Sequence, residues 1–225
     1  MSPFFDYVIT VNERLEVYSK KYLFLPSTHV RYIPNTIFNS KPQKASHLPG
    51  DKDNRVVCLA NLNPVKDHET LIEAFYIVVK KIPKAVLILI GDTKNQKYKQ
   101  NLQSMVLKFN MTDNVFFIGA VINPNEYLEQ CSIGVLASRM EAFPLSLLEY
   151  SYAGLAVVST NVGQCSSLLS GGEFGILVTP GDKKILADSI IKLLLNRQFR
   201  DIVSRNFYEK VKNEFGKDRI IKDII

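Results

Sequence analysis

Between positions 55 and 178 the apolar residues come in short, almost unbroken runs, separated by longer mixed stretches. The runs are Arg55–Ala60, Ala85–Ile90, Val115–Ile118, Ile133–Ala137, Leu155–Thr160 and Phe174–Val178. Val, Ile and Leu fill them with little alternation, which is the pattern of strands buried on both faces of a parallel sheet. The stretches between them carry helical spacing. From Asp67 to Ile82, the positions Leu71, Ala74, Phe75, Val78 and Ile82 make one apolar stripe. Asp67 is placed to cap this helix, Lys80 and Lys81 suit its C-terminal end, and Pro83 stops it. Further helices are expected over 98–109, over 124–130 with Asn123 as cap, and over 144–153, ending at Gly154. Strand alternating with helix predicts an α/β fold, a doubly wound Rossmann-like parallel sheet with right-handed crossovers. Beyond Asp182 the pattern is helical to the end, through about Asn196 and then from Gln198 onward.

The first 54 residues differ. Tyr7–Val11 reads as a strand, Asn12–Lys21 as a helix and Val30–Ile33 as a strand. One βαβ unit is too small to bury a core of its own. Residues 36–54 are polar and rich in Lys, Pro, Ser and Asn, as a linker is. The expected organisation is therefore 1–35 as the tail of one α/β domain, 36–54 as linker and 55–225 as a complete second domain.

Composition narrows the class. The chain has 225 residues, 46% hydrophobic and 22% charged, and the ordinary balance excludes a wholly disordered chain. A net charge of +6 suits a phosphorylated ligand, an acidic membrane surface or nucleic acid, and equally an ordinary solvated basic face. Basic residues are scattered in pairs such as Lys20-Lys21, Lys80-Lys81 and Lys183-Lys184, with no long run to mark a nucleic-acid tail. Cys58, Cys131 and Cys165 are odd in number and widely spaced, so they build neither a disulfide framework nor a zinc ribbon. His29, His47 and His68 show no metal-ligand spacing. No apolar stretch reaches the roughly 18 residues of a membrane span, and the N-terminus lacks the layout of a secretory signal. The expected setting is the cytoplasm, with membrane contact only peripheral.

Chemistry concentrates in Ser138–Gly163, where Glu141 and Glu149 stand with seven residues between them. A strand ends near Ala137, a loop carries Glu141, and Pro144 sits where a helix should start, in the first turn where its missing N–H is not needed. The amides of Phe143, Leu145 and Ser146 would then be free to attract phosphate. Ligands of open α/β sheets also bind beyond the C-terminal ends of strands. One carboxylate lies at the mouth of this anion site and the other inside the helix, and both can accept from hydroxyls. Phosphate in the middle with polyols at both ends describes a nucleotide sugar. Lys66, in the loop after the first strand of the domain, would reach the same sheet edge as a point charge for a diphosphate.

These segments resemble glycosyltransferase family 4, which has the GT-B fold of two facing Rossmann-like domains. The resemblance is carried in order by DYVITVN and VRYIPN, by VVCLANLNPVKDHETLIEAF, by LILIGD and NVFFIG, by SIGVLASRMEAFPLSLLEYSYAGLAVVSTNVG and by GILVTPGD. It covers nearly the whole chain, mainly as the C-terminal, donor-binding domain with a remnant of the N-terminal one. It implies that Glu141 contacts the donor sugar as the catalytic carboxylate and that Glu149 bonds the ribose. It further implies that Lys66 holds the diphosphate, that the loop of Ala142, Phe143, Pro144 and Leu145 lines the donor, and that Ile118 lies near the base. Asn61 stands where the family often has Arg, Ala142 where Gly is common, and Ser167 where an acid is usual.

The implied reaction moves a sugar, with retention, from a donor such as a UDP- or GDP-sugar to the hydroxyl of a glycan or lipid-linked acceptor. It serves polysaccharide or glycoconjugate synthesis and requires no metal. Most of the acceptor-side domain is absent from these residues. The chain is thus expected to be part of a longer enzyme, one half of a two-chain enzyme, or a non-catalytic nucleotide-sugar-binding or partner-binding subunit. A dinucleotide-binding domain lacks its signature, since no G-x-G-x-x-G follows any strand.

Overall fold

The computed structural model describes residues 7–23, 26–35, 47–216, 219 and 221. The N-terminal unit is β1 (Val8–Thr10), α1 (Glu13–Tyr22) and β2 (Val30–Tyr32), with β1 and β2 parallel. Asn12 caps α1, its side chain accepting from the Leu15 amide at 2.8 Å. Most of the expected linker, residues 36–46, lies outside the described residues. Its end is not loose: Leu48 is buried, and the buried guanidinium of Arg55 donates to the carbonyls of Leu48, Pro49, Gly50 and Gln130.

The main domain runs β3 (Arg55–Leu59), α2 (His68–Lys81), β4 (Val86–Ile90), α3 (Gln96–Lys108), β5 (Val115–Gly119), α4 (Asn125–Leu128), β6 (Ile133–Leu136), α5 (Leu145–Tyr152), β7 (Ala156–Thr160), α6 (Cys165–Leu168), β8 (Ile176–Val178), α7 (Lys183–Leu195) and α8 (Arg197–Phe215). The six strands are parallel in the order β5-β4-β3-β6-β7-β8. Alternate residues of each strand enter two apolar layers. Val56, Cys58, Leu87, Leu89, Val135 and Val158 pack with α2, α3 and α7. Val57, Ile88, Leu136 and Val157 pack with α5, α6 and α8. Both faces are thus covered, which is why the strands read as unbroken apolar runs.

The chain moves outward from β3 through β4 to β5, then returns to lay β6 against β3 and moves the other way. The direction reverses between β3 and β6, so a crevice opens at their carboxyl ends, where ligands of such sheets bind.

Local expectations shift at three points. Pro144 is the N-cap of α5 rather than its first residue: its backbone is extended (φ −79°, ψ 101°), and its carbonyl accepts from the Leu147 amide. Asn123 does not cap α4, whose N-cap is Pro124; the Asn123 amide instead donates to Glu126 Oε1 at 2.9 Å. Phe174 leaves the expected final strand, because the Gly171-Gly172 turn (φ 67° and 106°) ties its amide back to the Leu169 carbonyl. The tail helix expected near 218–225 lies outside the described residues apart from 219 and 221. Among the described residues no helix is long and apolar enough to cross a membrane.

Candidate functional site

The crevice holds a cavity of about 380 Å³, lined by Leu59, Ala60, Asn61, Asn63, Lys66, Ile90, Gly91, Glu141, Phe143, Pro144, Leu145, Ser146 and Glu149. The structure therefore gathers Asn61, Lys66, Glu141, Phe143, Pro144, Leu145 and Glu149 around one space. Ala142 lines a neighbouring cavity, and Ile118, at the end of β5, lines neither.

Lys66 ends a single 3-10 turn, Pro64–Lys66, which Asn63 caps by accepting from the Lys66 amide. Its ammonium donates to Glu141 Oε1 at 2.6 Å, and the hydroxyl of buried Ser138 donates to the same oxygen at 2.6 Å. The Glu141 side chain is only 8% exposed and that of Lys66 26% exposed, so the pair is largely withdrawn from water. Lys66 was expected to await a diphosphate; in this structure the carboxylate across the crevice satisfies it.

Backbone close approach holds the Glu141 loop and, on the other side of the crevice, the loop after β3. A Cβ on Gly163 would lie 2.0 Å from the Glu141 carbonyl oxygen, and one on Gly91 would lie 2.2 Å from the Ala60 carbonyl oxygen. Thr160 Oγ1 donates to the Ser138 carbonyl at 2.6 Å, fixing the turn from which Glu141 projects.

Tyr150 positions α5. It is fully buried; its hydroxyl donates to the Val135 carbonyl at 3.1 Å and accepts from the Leu59 amide at 2.7 Å. Its ring packs on Gly134, where a Cβ would fall within 2.4 Å of it. One side chain thus bonds α5 to β3 and β6, and sets where Glu149 stands. The Glu149 carboxylate lines the cavity, and burial pushes its pKa up from the ordinary carboxylate range. At the mouth of α5 the amides of Leu145 and Ser146 have no acceptor within the helix, and both residues line the cavity.

Asn61 does not stand free in place of a cation: its side-chain oxygen accepts from the Asp92 amide at 3.2 Å, tying the loops after β3 and β4 together. Beneath the site, His68 Nε2 lies 3.8 Å from Cys58 Sγ. Burial pushes the imidazole down to about 4 and the thiol up to about 12, so both are neutral at pH 7 and Cys58 supplies no thiolate nucleophile. Among the described residues no group of three or more His, Cys, Asp or Glu side chains converges as metal ligands would.

Glu141 also lines a second cavity, of about 340 Å³, together with Ala142, Gly163 and Gln164. Its far wall is α1, through Asn12, Arg14, Leu15 and Tyr18. One carboxylate thus stands at the junction of two spaces, one inside the sheet domain and one between it and the N-terminal unit.

Sequence reasoning missed Ser138, Tyr150, Asp67 as an ion-pair partner, Arg139 and Gly91 as parts of this arrangement. Ser138 stands three residues before Glu141, and that spacing was the only local signal for it.

Comparison with known proteins fits the geometry. The family model described as "Glycosyl transferases group 1" matches residues 39–210. An uncharacterized glycosyltransferase of Methanocaldococcus jannaschii is 27% identical over 231 aligned positions, covering 86% of this chain and 56% of the relative. N-acetyl-alpha-D-glucosaminyl L-malate synthase of Bacillus anthracis is 28% identical over 166, covering 74% of this chain and 42% of that one. This chain spans about half the length of these relatives. Among solved structures, Anabaena HepE in complex with UDP and glucose superposes with a TM-score of 0.83 at 22% identity, over 97% of this chain and 61% of that one. That likeness establishes the doubly wound α/β fold of one GT-B domain.

Proposed function

This chain belongs to the group 1 glycosyl transferases, and we propose that it is the donor-binding part of a retaining glycosyltransferase that moves a sugar from a nucleoside diphosphate to an acceptor hydroxyl. The observation that carries this reading is the convergence of Lys66, Glu141, Glu149 and the free end of α5 on one cavity at the β3/β6 crevice. An ammonium and unpaired helix amides suit a diphosphate, and the two carboxylates suit hydroxyls on either side of it.

Binding would break the Lys66–Glu141 pair. The diphosphate takes the ammonium as its counter-charge, and Glu141 turns to the sugar, where positive charge grows as the leaving group departs. Catalysis then consists of positioning and charge stabilisation. The second cavity, which shares Glu141, would admit the acceptor hydroxyl. In this reading residues 1–35 form the acceptor-side segment and contribute α1, 36–54 join it to the rest, and 55–225 form the donor-binding domain. HepE was crystallised with UDP and glucose; for this chain a UDP- or GDP-sugar is the proposed class of donor.

Glu149→Gln tests the ribose end. Losing a charged acceptor of hydrogen bonds costs roughly 1.5–3 kcal/mol, which is about ten- to hundredfold in affinity for the nucleotide sugar. The same change should raise Tm of the ligand-free protein at pH 7. Burial raises the folded-state pKa of Glu149, so ionising it is a penalty. That penalty is absent below the unfolded value of ~4.3, grows as pH rises from there to the raised value, and is complete above it. The Tm gain should therefore be present at pH 7 and gone near the unfolded value. Unchanged nucleotide-sugar affinity in a calorimetric titration would remove Glu149 from the site.

A further inference from the structure

One arginine staples together the two loops that carry the opposite charges of the site. The Arg139 amide donates to the Val65 carbonyl at 2.8 Å, joining the loop after β6 to the loop after β3. Its guanidinium then forks onto Asp67, Nε to Oδ2 at 3.0 Å and Nη2 to Oδ1 at 3.4 Å. Asp67 directly follows Lys66, and Glu141 stands two residues after Arg139.

Asp67 is unusual on two counts. Its backbone is left-handed (φ 48°, ψ 48°), a conformation that Asp adopts more readily than most residues with a Cβ and that its local bond to the Thr70 amide supports. Its side chain is 1% exposed, while that of Arg139 is 62% exposed. The carboxylate also accepts from the Thr70 amide at 3.3 Å and the Thr70 hydroxyl at 2.9 Å, which caps α2. Its other partners are thus neutral, and the only charge opposite it among its described partners is the guanidinium. A buried carboxylate that loses its opposite charge turns toward water. That turn releases the left-handed residue, and Lys66 moves with it.

We propose that Arg139 is a positioning residue of the donor site: by pinning Asp67 it fixes the direction of Lys66, and so sets affinity for the second phosphate of a nucleoside diphosphate without touching the ligand. This rests on the nucleoside-diphosphate reading of the cavity. Arg139 is itself mostly exposed and packs little, so its loss acts through Asp67, and some fall in stability accompanies the weakened α2 cap.

The test is calorimetric titration of the full chain and of its Arg139→Met and Arg139→Lys variants with UDP and UMP, and with GDP and GMP, alongside Tm. The parent should bind the diphosphate of its preferred base more tightly than the monophosphate. Arg139→Met should lose about tenfold in diphosphate affinity, the scale of one charge-assisted contact, with monophosphate affinity held and any fall in Tm too small to unfold the chain at the titration temperature. Arg139→Lys, which keeps the charge but not the fork, should recover part of the loss. Parent-like diphosphate affinity in Arg139→Met overturns the inference. So does an equal loss for mono- and diphosphate, or a fall in Tm large enough to account for it, since either marks a structural role. A parent that binds neither UDP nor GDP overturns the nucleoside-diphosphate reading itself, and this inference with it.

Discussion

Glu141→Gln, assayed for sugar transfer beside the unaltered protein, is expected to lose activity by roughly 10²–10³-fold, the scale of removing one preorganised group that faces developing charge. Affinity for the nucleoside diphosphate should hold or improve. The reason is the pair seen here: Glu141 occupies the Lys66 ammonium at 2.6 Å, and binding a diphosphate must part them. The amide keeps the shape and the Ser138 contact while giving up the charge, so Lys66 is released to the ligand at lower cost. A rate and an affinity that respond differently are the signature of a group acting on the transition state. If both fall together, Glu141 supports binding of the donor as a whole; if the rate is unchanged, it is not the catalytic carboxylate.

Gly163→Ala should be the most damaging single methyl in the site. Its φ of 53° lies in the left-handed region, and the new Cβ would sit 2.0 Å from the Glu141 carbonyl oxygen and 2.7 Å from the carbonyl carbon. Backbone cannot yield as a flexible side chain does, so the Glu141 loop must shift. Left-handed strain costs about 1–2 kcal/mol and overpacking roughly 1–3 kcal/mol. At about 2–4 °C per kcal/mol for a chain of this size, Tm should fall by several degrees. A shift of the Glu141 carboxylate by about 1 Å would lower transfer by roughly a hundredfold. Gly181→Ala is the matched control. It has φ of 78° with nothing within 4 Å of the added Cβ, so it carries the strain without the collision. Equal losses in the two variants would show that conformation alone, and not the contact with Glu141, makes Gly163 necessary.

The strands and most helices were legible because each strand is buried on both faces and each long helix on one. Burial imposes an apolar run on the first and a 3.6-residue stripe on the second. Ends were less legible. Pro144 reads as a first-turn proline on propensity, yet its carbonyl closes the first turn with the Leu147 amide, which makes it the cap. The residues around the cavity were legible as ordered segments, because each follows a strand whose carboxyl end faces the crevice. Their pairings were not. Lys66 and Glu141 are 75 positions apart and meet only because β6 returns beside β3. Arg139 and Asp67 meet for the same reason. Tyr150, in a helix beside a candidate glutamate, looks like any apolar core residue until its hydroxyl is seen bridging α5 to both central strands.

Whether the β3/β6 crevice is a nucleoside-diphosphate-sugar site is decided by calorimetric titration of the unaltered chain with a panel of UDP- and GDP-sugars. Saturable one-to-one binding of at least one nucleotide sugar is expected, competed by the matching nucleoside diphosphate and abolished or sharply weakened by Lys66→Met. Absence of binding across the panel, or binding that Lys66→Met leaves unchanged, would contradict it.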